Sequence, residues 1–282
     1  MASTKRVLFL RHGQAVHNPR AEAEREAGCD RARFLELIGE DDALDAPLTE
    51  LGEDQARSVQ ARHGRRLRSV GLVVSSPLSR AIRTADLALP PFPSPGGGDP
   101  DEGRPDRICV EDFREINGRF LNARRRDLSE LEGAFRSSQW DFSHISNFDE
   151  SWTESLEDES ECAERGYRGL IWLAQRKEDD ILVVSHGGIL RFTMNQHPNI
   201  RMEEGRKCSG KEKRDVGARF GNCELREYLL SWSENCDSVQ VSPDDCQDKN
   251  IANANEIKPL NGLEDDSYML RPLFTLTEVS LE

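Results

Sequence analysis

Short apolar runs rich in β-branched residues alternate along this chain with segments of helical periodicity. The runs are residues 7–10, 72–74, 108–110 and 181–184, and a weaker candidate is 225–230. Short, continuously apolar strands are typical of a parallel sheet that helices cover on both faces. The alternation therefore predicts an α/β domain built on a mostly parallel central sheet.

Amphipathic helical patterns fill the spaces between these runs. Apolar residues recur every three or four positions over residues 56–70, and Thr49 is placed to cap the start of that helix. A second pattern covers residues 78–89, with Ser76 as its predicted N-cap, and a third covers residues 163–174. Helices in these places would cover both faces of the sheet.

Three segments interrupt the alternation. Residues 90–105 are rich in proline and glycine and have the composition of a flexible loop. Residues 119–152 are polar, contain aromatic residues and are too long for a simple connection, so we expect a lid insertion beside the site. We therefore expect the chain to consist of a site-bearing domain, residues 1–232, and an acidic extension, residues 233–282. Residues 273–279 of the extension are predicted to return to the sheet as an edge strand.

Composition narrows the class of protein. The 282 residues carry a formal net charge of −14, which argues against nucleic acid or an anionic membrane as the default partner. No run of about 18 apolar residues is present, and the first residues lack the apolar stretch of a signal peptide. The seven cysteines form no CxxC pair, which favours a reducing compartment. We expect a soluble, cytoplasmic protein, and the sequence leaves its oligomeric state open.

Two of the strand runs end in the same pair of residues. His12 and Gly13 follow the first run after Arg11, and His186 and Gly187 follow the fourth. Ligands of an open parallel sheet bind beyond the carboxyl ends of its strands, so each histidine is expected to face a crevice. Each glycine lets the backbone approach a ligand closely, and each pair precedes a predicted helix start, whose N–H groups favour an anion.

A third strand end carries an arginine. Residues 72–74 lead into a Ser-Ser-Pro sequence, and Arg80 lies in the first turn of the helix that follows. With Arg11, His12 and His186 it would form a cluster of two guanidiniums and two imidazoles. Like charges repel, so folding alone gives no reason for such a cluster. A bound phosphate dianion does, because arginine matches phosphate oxygens in pairs.

The motifs at these positions resemble those of a known family. The segments "RHGQAVHN", "PLTELGEDQA", "SSPLSRAIRTA", "EDFREINGRF" and "VVSHGG" occur in the order found in the histidine phosphatase superfamily, and cover roughly residues 6–230. Within it, "CELREYLL", "DFSHI" and "REINGRF" followed by three arginines resemble the phosphoglycerate-mutase-like phosphatases of plants, algae and fungi. The resemblance implies a three-layer phosphoglycerate-mutase-like fold. It also implies a phosphatase that acts on a small phosphorylated metabolite without a metal or a cofactor.

The resemblance assigns a role to each motif residue. His12 corresponds to the nucleophile that becomes phosphohistidine, and Glu115 to the carboxyl group that protonates the leaving oxygen. The residues implied to hold the phosphate are Arg11, Arg80, His186 and Asn18. We also expect substrate contacts from Gly13, Gln14 and Gly187, and from Arg125 toward a second anionic group.

Several alternatives stay open at this stage. Spacing from the run at 108–110 also permits Glu111 or Asp112 as the acid, and His17 is expected on the surface or on the substrate side of the pocket. A mutase, or a catalytically idle module that binds phosphorylated ligands, could use the same cluster of cations. No spacing of His, Cys or Asp indicates a metal site.

Overall fold

Seven strands form the central sheet of the computed structural model, which describes residues 3–91, 104–204, 219–233 and 272–281. In chain order these strands are β1 (Ser3–Arg11), β2 (Leu72–Ser75), β3 (Asp106–Cys109), β4 (Asp180–Ser185), β5 (Ile200–Glu203), β6 (Leu225–Ser233) and β7 (Leu273–Val279). The α-helices of the same residues are α1 (Pro19–Glu26), α2 (Arg31–Glu40), α3 (Glu50–Leu67), α4 (Ser79–Ala88), α5 (Leu128–Ala134), α6 (Glu159–Ala174) and α7 (Gly187–Gln196). Every predicted strand and helix is present. Residues 92–103 of the predicted loop and 234–271 of the predicted extension lie outside the described residues.

The sheet has the strand order β3-β2-β4-β1-β6-β7-β5. Strands β3, β2, β4 and β1 run parallel, β6 is antiparallel to its neighbours β1 and β7, and β5 is parallel to β7. The predicted mostly parallel α/β sheet is therefore confirmed. The predicted edge position of β7 is wrong, because the short strand β5, which the sequence pattern did not reveal, pairs with its outer side.

The alternation of side chains along β1 builds the three layers. Val7 and Phe9 face one side of the sheet and pack in a core that includes residues of α6 and α7. Leu8 and Leu10 face the other side and pack in a core that includes residues of α3 and α4. All four side chains are fully buried or nearly so, and each such burial contributes about 1.5–3 kcal/mol to the stability of the fold.

The two helices that flank the sheet on the α3 and α4 side begin differently. Thr49 caps α3 as predicted, because its hydroxyl accepts a hydrogen bond from the Gly52 N–H at 3.0 Å. The prediction that Ser76 caps α4 is wrong. This helix begins at Ser79, and the N–H of Ser79 donates at 2.9 Å to the carboxylate of Asp45, which lies far away in sequence.

The insertion predicted as a lid is anchored to the domain. Its side chains Leu131, Trp140, Phe142 and Ile145 are buried in the same core as α4. Arg125, also buried, donates hydrogen bonds to backbone oxygens within the insertion. These buried side chains therefore fix the insertion on the domain.

Two glycines allow the loop after β1 to cross the start of α3 at very short range. A Cβ on Gly52 would overlap the backbone oxygen of Gln14, and a Cβ on Gly13 would overlap the backbone of Gly52. The close approach places the residues after His12 against α3. Gly133, in α5, has nothing within 4 Å of its would-be Cβ.

We expect Gly52→Ala to lower the free energy of unfolding by about 1–3 kcal/mol, because the added methyl group must push two backbone segments apart. The control is Gly133→Ala, which should be neutral or stabilise by about 0.5–1 kcal/mol through helix propensity. Urea unfolding of both variants measures the difference. Equal stability of Gly52→Ala and the wild-type protein would contradict the described contact.

Candidate active site

The register between β1 and β4 brings the two predicted histidines together. Arg11 pairs with Ser185 at the ends of the two parallel strands, so His12 and His186 leave the sheet side by side. Their ring centroids lie 4.9 Å apart, with the ring planes tilted by 58°. Both side chains are buried, His186 completely and His12 to within 1%. The convergence predicted from the strand ends is present.

His12 is held with one ring nitrogen free to react. Its Nδ1 lies 2.6 Å from the backbone oxygen of Gly13, and a carbonyl oxygen can only accept, so Nδ1 carries the proton. Nε2 then keeps its lone pair. Burial, followed by the charges of Arg80 and Arg11, lowers the pKa of His12 well below its ordinary value, which favours the neutral ring at pH 7.

His186 lies at the N-terminus of α7 and contacts the strand end beside it. Its Nε2 is 2.8 Å from the hydroxyl of Ser76, while Nδ1 is buried without a hydrogen-bond partner among the described residues. Burial, then Arg80 and His12, lowers the pKa of His186 well below the ordinary value. A phosphoryl group bound here would act in the opposite direction, because negative charge favours the imidazolium.

Arg80 is a fully buried cation, and two of its three guanidinium nitrogens form no hydrogen bond with the described residues. Its Nη1 donates to the backbone oxygen of Asn122 at 2.6 Å. Its Nε and Nη2 are buried without a hydrogen-bond partner among the described residues. Burial lowers the pKa of Arg80 to about 10, against the raising effect of Asp45 and Glu115. Buried guanidinium N–H groups without partners are costly, and a phosphate oxygen is the acceptor that suits them.

Arg11 supplies a second guanidinium. Its Nη1 donates to the backbone oxygen of Phe220 at 2.9 Å, its Nη2 pairs with the carboxylate of Glu22, and its Nε has no partner among the described residues. A Cβ on Gly187 would lie only 3.2 Å from that Nε. The glycine therefore leaves room for the arginine side chain at the start of α7.

Glu115 is the one predicted acid that reaches the cavity beside these groups. Its carboxylate accepts hydrogen bonds from the N–H groups of Gly188 at 3.2 Å, Ile189 at 3.0 Å and Ile116 at 2.9 Å. The first two belong to the N-terminus of α7, which favours negative charge. A Cβ on Gly188 would overlap the carboxylate, so the glycine is what permits this contact.

The other predicted acids point elsewhere. Glu111 pairs with Arg114 and Arg125, and Asp112 pairs with Arg168. Neither lines the cavity. Of the three carboxyl groups that spacing permits, Glu115 is therefore the one at the cavity.

Three of the residues predicted to contact the substrate do not line the cavity. Gly13 donates its N–H to Thr84 at 3.1 Å, and Gln14 is tied to Thr49 and Gln55, so both serve the packing of the loop. Arg125 is buried beside Glu111 and away from the cavity. These hydrogen bonds and this ion pair are tertiary contacts, which the sequence pattern does not reveal.

Two predicted neighbours of the phosphate do lie at the cavity. Asn18 is buried, lines the cavity and fixes the loop after β1 by accepting the Ala15 N–H at 2.9 Å. His17 also lines it and is buried rather than on the surface. Burial, then Arg80 and Arg11, lowers the pKa of His17 well below the ordinary value.

Two carboxylates that the sequence pattern does not single out position the surroundings of Arg80. Asp45 accepts hydrogen bonds from the N–H and hydroxyl of Ser79, next to Arg80, and burial raises the pKa of Asp45 to about 6. Asp42 accepts from the backbone and side-chain N–H groups of Asn122, whose carbonyl holds Arg80. Both lie in an irregular segment between α2 and α3, where no periodicity marks them.

The cavity that Arg11, Asn18 and Glu115 line has a volume of about 480 Å³. His12, Arg80 and His186 do not line it, and Arg11 and Gly187 connect it to the two histidines. Pockets for small-molecule ligands typically measure about 300–1,000 Å³. Its walls come from α1, α2 and α7 and from the start of the insertion, where Phe120, Asn122 and Ala123 contribute. The predicted lid therefore reaches the cavity only through its first residues.

The sequence profile of the histidine phosphatase superfamily (branch 1) matches residues 7–213. The chain belongs to this superfamily. A phosphoglycerate mutase-like protein of Arabidopsis thaliana is 29% identical over 249 residues, covering 80% of this chain and 84% of the relative. Phosphoglycerate mutase-like protein 1 of the same plant is 30% identical over 247 residues, covering 80% and 81%. The resemblance read from the motifs is confirmed.

Solved structures of histidine phosphatases resemble the chain more distantly. A mycobacterial glucosyl-3-phosphoglycerate phosphatase is 17% identical, with a TM-score of 0.42 over 80% of this chain and 93% of that one. A phosphoserine phosphatase of Entamoeba histolytica is 17% identical, with a TM-score of 0.39 over 79% and 89%.

The described residues contain neither a metal-binding cluster nor a membrane-spanning helix. Among them, no group of three or more His, Cys, Asp or Glu side chains is arranged to hold a metal ion. None of the helices in that part of the chain is long and apolar enough to cross a membrane.

We expect Arg80→Gln to weaken the binding of orthophosphate at least about tenfold, because the unpaired N–H groups of Arg80 are the donors best placed for an anion. The unfolding midpoint should stay within about 5 °C of the wild-type value, since the substitution removes a buried charge with a single side-chain hydrogen bond. Titration calorimetry and thermal unfolding measure the two effects.

The matched control is Arg83→Gln, one turn further along the same helix. Arg83 is exposed and pairs with Glu53, so its loss should leave phosphate binding unchanged. Undiminished binding in Arg80→Gln would contradict the assignment.

Proposed function

We propose that this protein hydrolyses a phosphate monoester through a phosphohistidine intermediate on His12, with Glu115 as the proton donor. The observation that carries the proposal is the pair of imidazoles 4.9 Å apart beside the unpaired N–H groups of Arg80. Membership of the histidine phosphatase superfamily supports a phosphatase or phosphotransferase.

The first half of the reaction transfers the phosphoryl group to the enzyme. The lone pair on Nε2 of neutral His12 attacks phosphorus, and the bond between phosphorus and the ester oxygen breaks. The negative charge of the bound phosphate favours a proton on Glu115, against the effect of the N–H groups that donate to its carboxylate. Glu115 gives that proton to the leaving oxygen, so the product is a neutral alcohol. Such proton transfer typically contributes about 10²- to 10⁴-fold to the rate. The hydrogen bond from Nδ1 to Gly13 keeps the attacking nitrogen unprotonated.

The second half returns the enzyme to its starting state. Water attacks the phosphorus of the phosphohistidine, the carboxylate of Glu115 takes the proton of the water, and the bond between nitrogen and phosphorus breaks. Orthophosphate leaves, His12 is neutral again and Glu115 is protonated again. One carboxyl group thus serves as acid and then as base.

Charge on the transferred group is balanced by fixed donors. Phosphoryl transfer depends mainly on positioning and on neutralising the three equatorial oxygens. Arg80 and Arg11 offer N–H groups that have no partner among the described residues, and His186 offers a buried Nδ1. These groups are already in place before the reaction, which is what makes such stabilisation effective.

We expect His12→Ala to abolish the release of p-nitrophenol from p-nitrophenyl phosphate, measured with EDTA present. The control is His63→Ala, on α3 and away from the cavity, which should keep wild-type turnover. Phosphohistidine hydrolyses in acid. Mass spectrometry of samples kept at alkaline pH should therefore locate the phosphoryl group on His12.

Three outcomes would count against this reaction. Label on another residue would remove His12 as nucleophile. Rapid interconversion of 3- and 2-phosphoglycerate with little hydrolysis would indicate a mutase. A folded protein that turns over no phosphoester would indicate a binding module.

Glu115→Gln should slow the hydrolysis of alkyl phosphates far more than that of p-nitrophenyl phosphate, because p-nitrophenolate leaves without needing a proton. A difference of about 10²-fold between the two losses is expected for general acid catalysis. Glu111→Gln is the control, since Glu111 lies outside the cavity and should show no such dependence on the leaving group. Equal losses for both substrates in Glu115→Gln would remove it as the acid.

A further inference from the structure

We propose that the cavity holds a second anion-binding site formed by Arg25, Arg191 and Arg219. The substrate of the protein is then a phosphate monoester in which an apolar body joins the phosphate to a second anionic group. This inference rests on the proposed function, because it names the substrate class of the same site. The three arginines all line the cavity that contains Arg11 and Glu115.

The three arginines come from different elements around the phosphate end of the cavity. Arg191 lies four residues after Gly187 on α7, so it stands about one turn, or roughly 6 Å, farther along the helix axis. Arg25, on α1, lies 3.8 Å from the same Glu22 oxygen that pairs with Arg11. Arg219 is exposed at the mouth of the cavity. The set therefore shares the cavity with Arg11, and Glu22 links Arg25 to it.

The carboxylates of the cavity are engaged elsewhere. Glu159 pairs with Arg31, and Asp30 caps α2 by accepting the Arg33 N–H at 2.8 Å. Glu115 accepts the backbone N–H groups described above. Within the described parts of the chain, no carboxylate forms an ion pair with Arg191 or Arg219. Two of the three guanidiniums are therefore available to an external anion.

Among the described residues, Glu22 is the carboxylate that forms an ion pair with Arg25. Its direct contact is with Arg11, and its distance to Arg25 is near the 4.0 Å limit of an ion pair. The guanidinium of Arg25 instead lies over the ring of Phe34, 4.8 Å from the ring centroid. One carboxylate thus faces two guanidiniums, which leaves an excess of positive charge on this wall.

Mutual repulsion makes the cluster unfavourable without an anion. Desolvation by the surrounding protein, then the charges of Arg25, Arg191 and Arg11, lower the pKa of Arg219 to about 10. The chain as a whole carries a net charge of −14, so an excess of cations in one cavity runs against its general composition. An anionic group between these side chains would remove the repulsion.

The rest of the lining indicates what joins the two anionic groups. Apolar side chains from α2, the insertion, the segment before α6 and α7 cover much of the remaining wall: Phe34, Leu35, Ile38, Phe120, Leu156 and Phe192. Phosphate and a small polar sugar would gain little from such a wall, whereas an aromatic or aliphatic body would bury apolar surface against it. The volume of about 480 Å³ also exceeds the needs of phosphate alone.

The test compares two substrates of matched shape, 4-carboxyphenyl phosphate and 4-carbamoylphenyl phosphate. They differ in charge at the end remote from phosphorus. We expect the wild-type protein to favour the carboxylate by at least about fivefold in kcat/KM, which is the effect of one charge-assisted contact. The overall negative charge of the protein would act in the opposite direction, so a preference of this sign requires a local site.

The variants locate that preference. In the double variant Arg191→Gln, Arg219→Gln the ratio of the two kcat/KM values should fall to about one. In the control Arg124→Gln it should keep its wild-type value, because Arg124 is exposed, stacks on Trp152 and does not line the cavity. Near-ultraviolet circular dichroism checks that each variant is folded.

The outcomes separate this inference from the proposed function. Hydrolysis of both substrates with a wild-type ratio of one or below overturns the second site and leaves the phosphatase standing, as does an unchanged ratio in the double variant. If neither substrate is hydrolysed, the proposed function fails. The second site is then measured by titration calorimetry with 4-carboxybenzylphosphonate and 4-carbamoylbenzylphosphonate. A fivefold preference for the carboxylate that the double variant loses supports it, and equal affinity or no binding overturns it.

Discussion

The parallel pairing of β1 with β4 is the constraint on which the site depends. Arg11 and Ser185 lie opposite each other at the ends of the two strands, so the next residue of each strand is a histidine of the pair. Residues 7–10 of β1 and 181–184 of β4 are apolar and buried between two helical layers, and their side chains alternate between the two cores. A shift of one residue would reverse both faces, so the core that stabilises the sheet also fixes the distance between the rings.

Burial and positive charge together set the chemistry of this cluster. Arg80 and Arg11 act on each histidine in the direction that burial acts, and both effects favour neutral imidazole. A neutral ring with a protonated Nδ1 is a nucleophile, whereas an imidazolium is not. The fold therefore maintains a cluster of cations that is unfavourable without a bound anion. The backbone oxygen of Asn122 accepts a hydrogen bond from Arg80, and the charge of Asp45 favours the same guanidinium. Burial of apolar side chains in the two cores offsets the free-energy cost of this cluster.

The sequence predicted the parts of the fold and site that follow from local rules. Buried strands, the helix cap at Thr49 and the convergence of His12, His186 and Arg80 all derive from runs, periodicity and strand ends. The predictions that failed, the Ser76 cap and the edge position of β7, concern places where tertiary contacts decide. Gln14 and Arg125 have side chains that suit a ligand, but the folded chain uses them internally. The cations around the outer cavity come from segments far apart in sequence, and nothing in the local pattern of α1 or α7 connects them.

The position of β7 has a consequence for how the chain is assembled. Among the described residues, β5 pairs only with β7, and β7 also covers the outer side of β6. Phe274 and Leu276 complete the core against α6, and the hydroxyl of Tyr167 donates to the backbone oxygen of Pro272. On the ribosome, β6 can therefore pair with β1 before β7 has been synthesised, and the outer side of β6 stays open until β7 emerges. During that interval the nascent chain presents an unpaired strand edge, which is the kind of surface that chaperones shield.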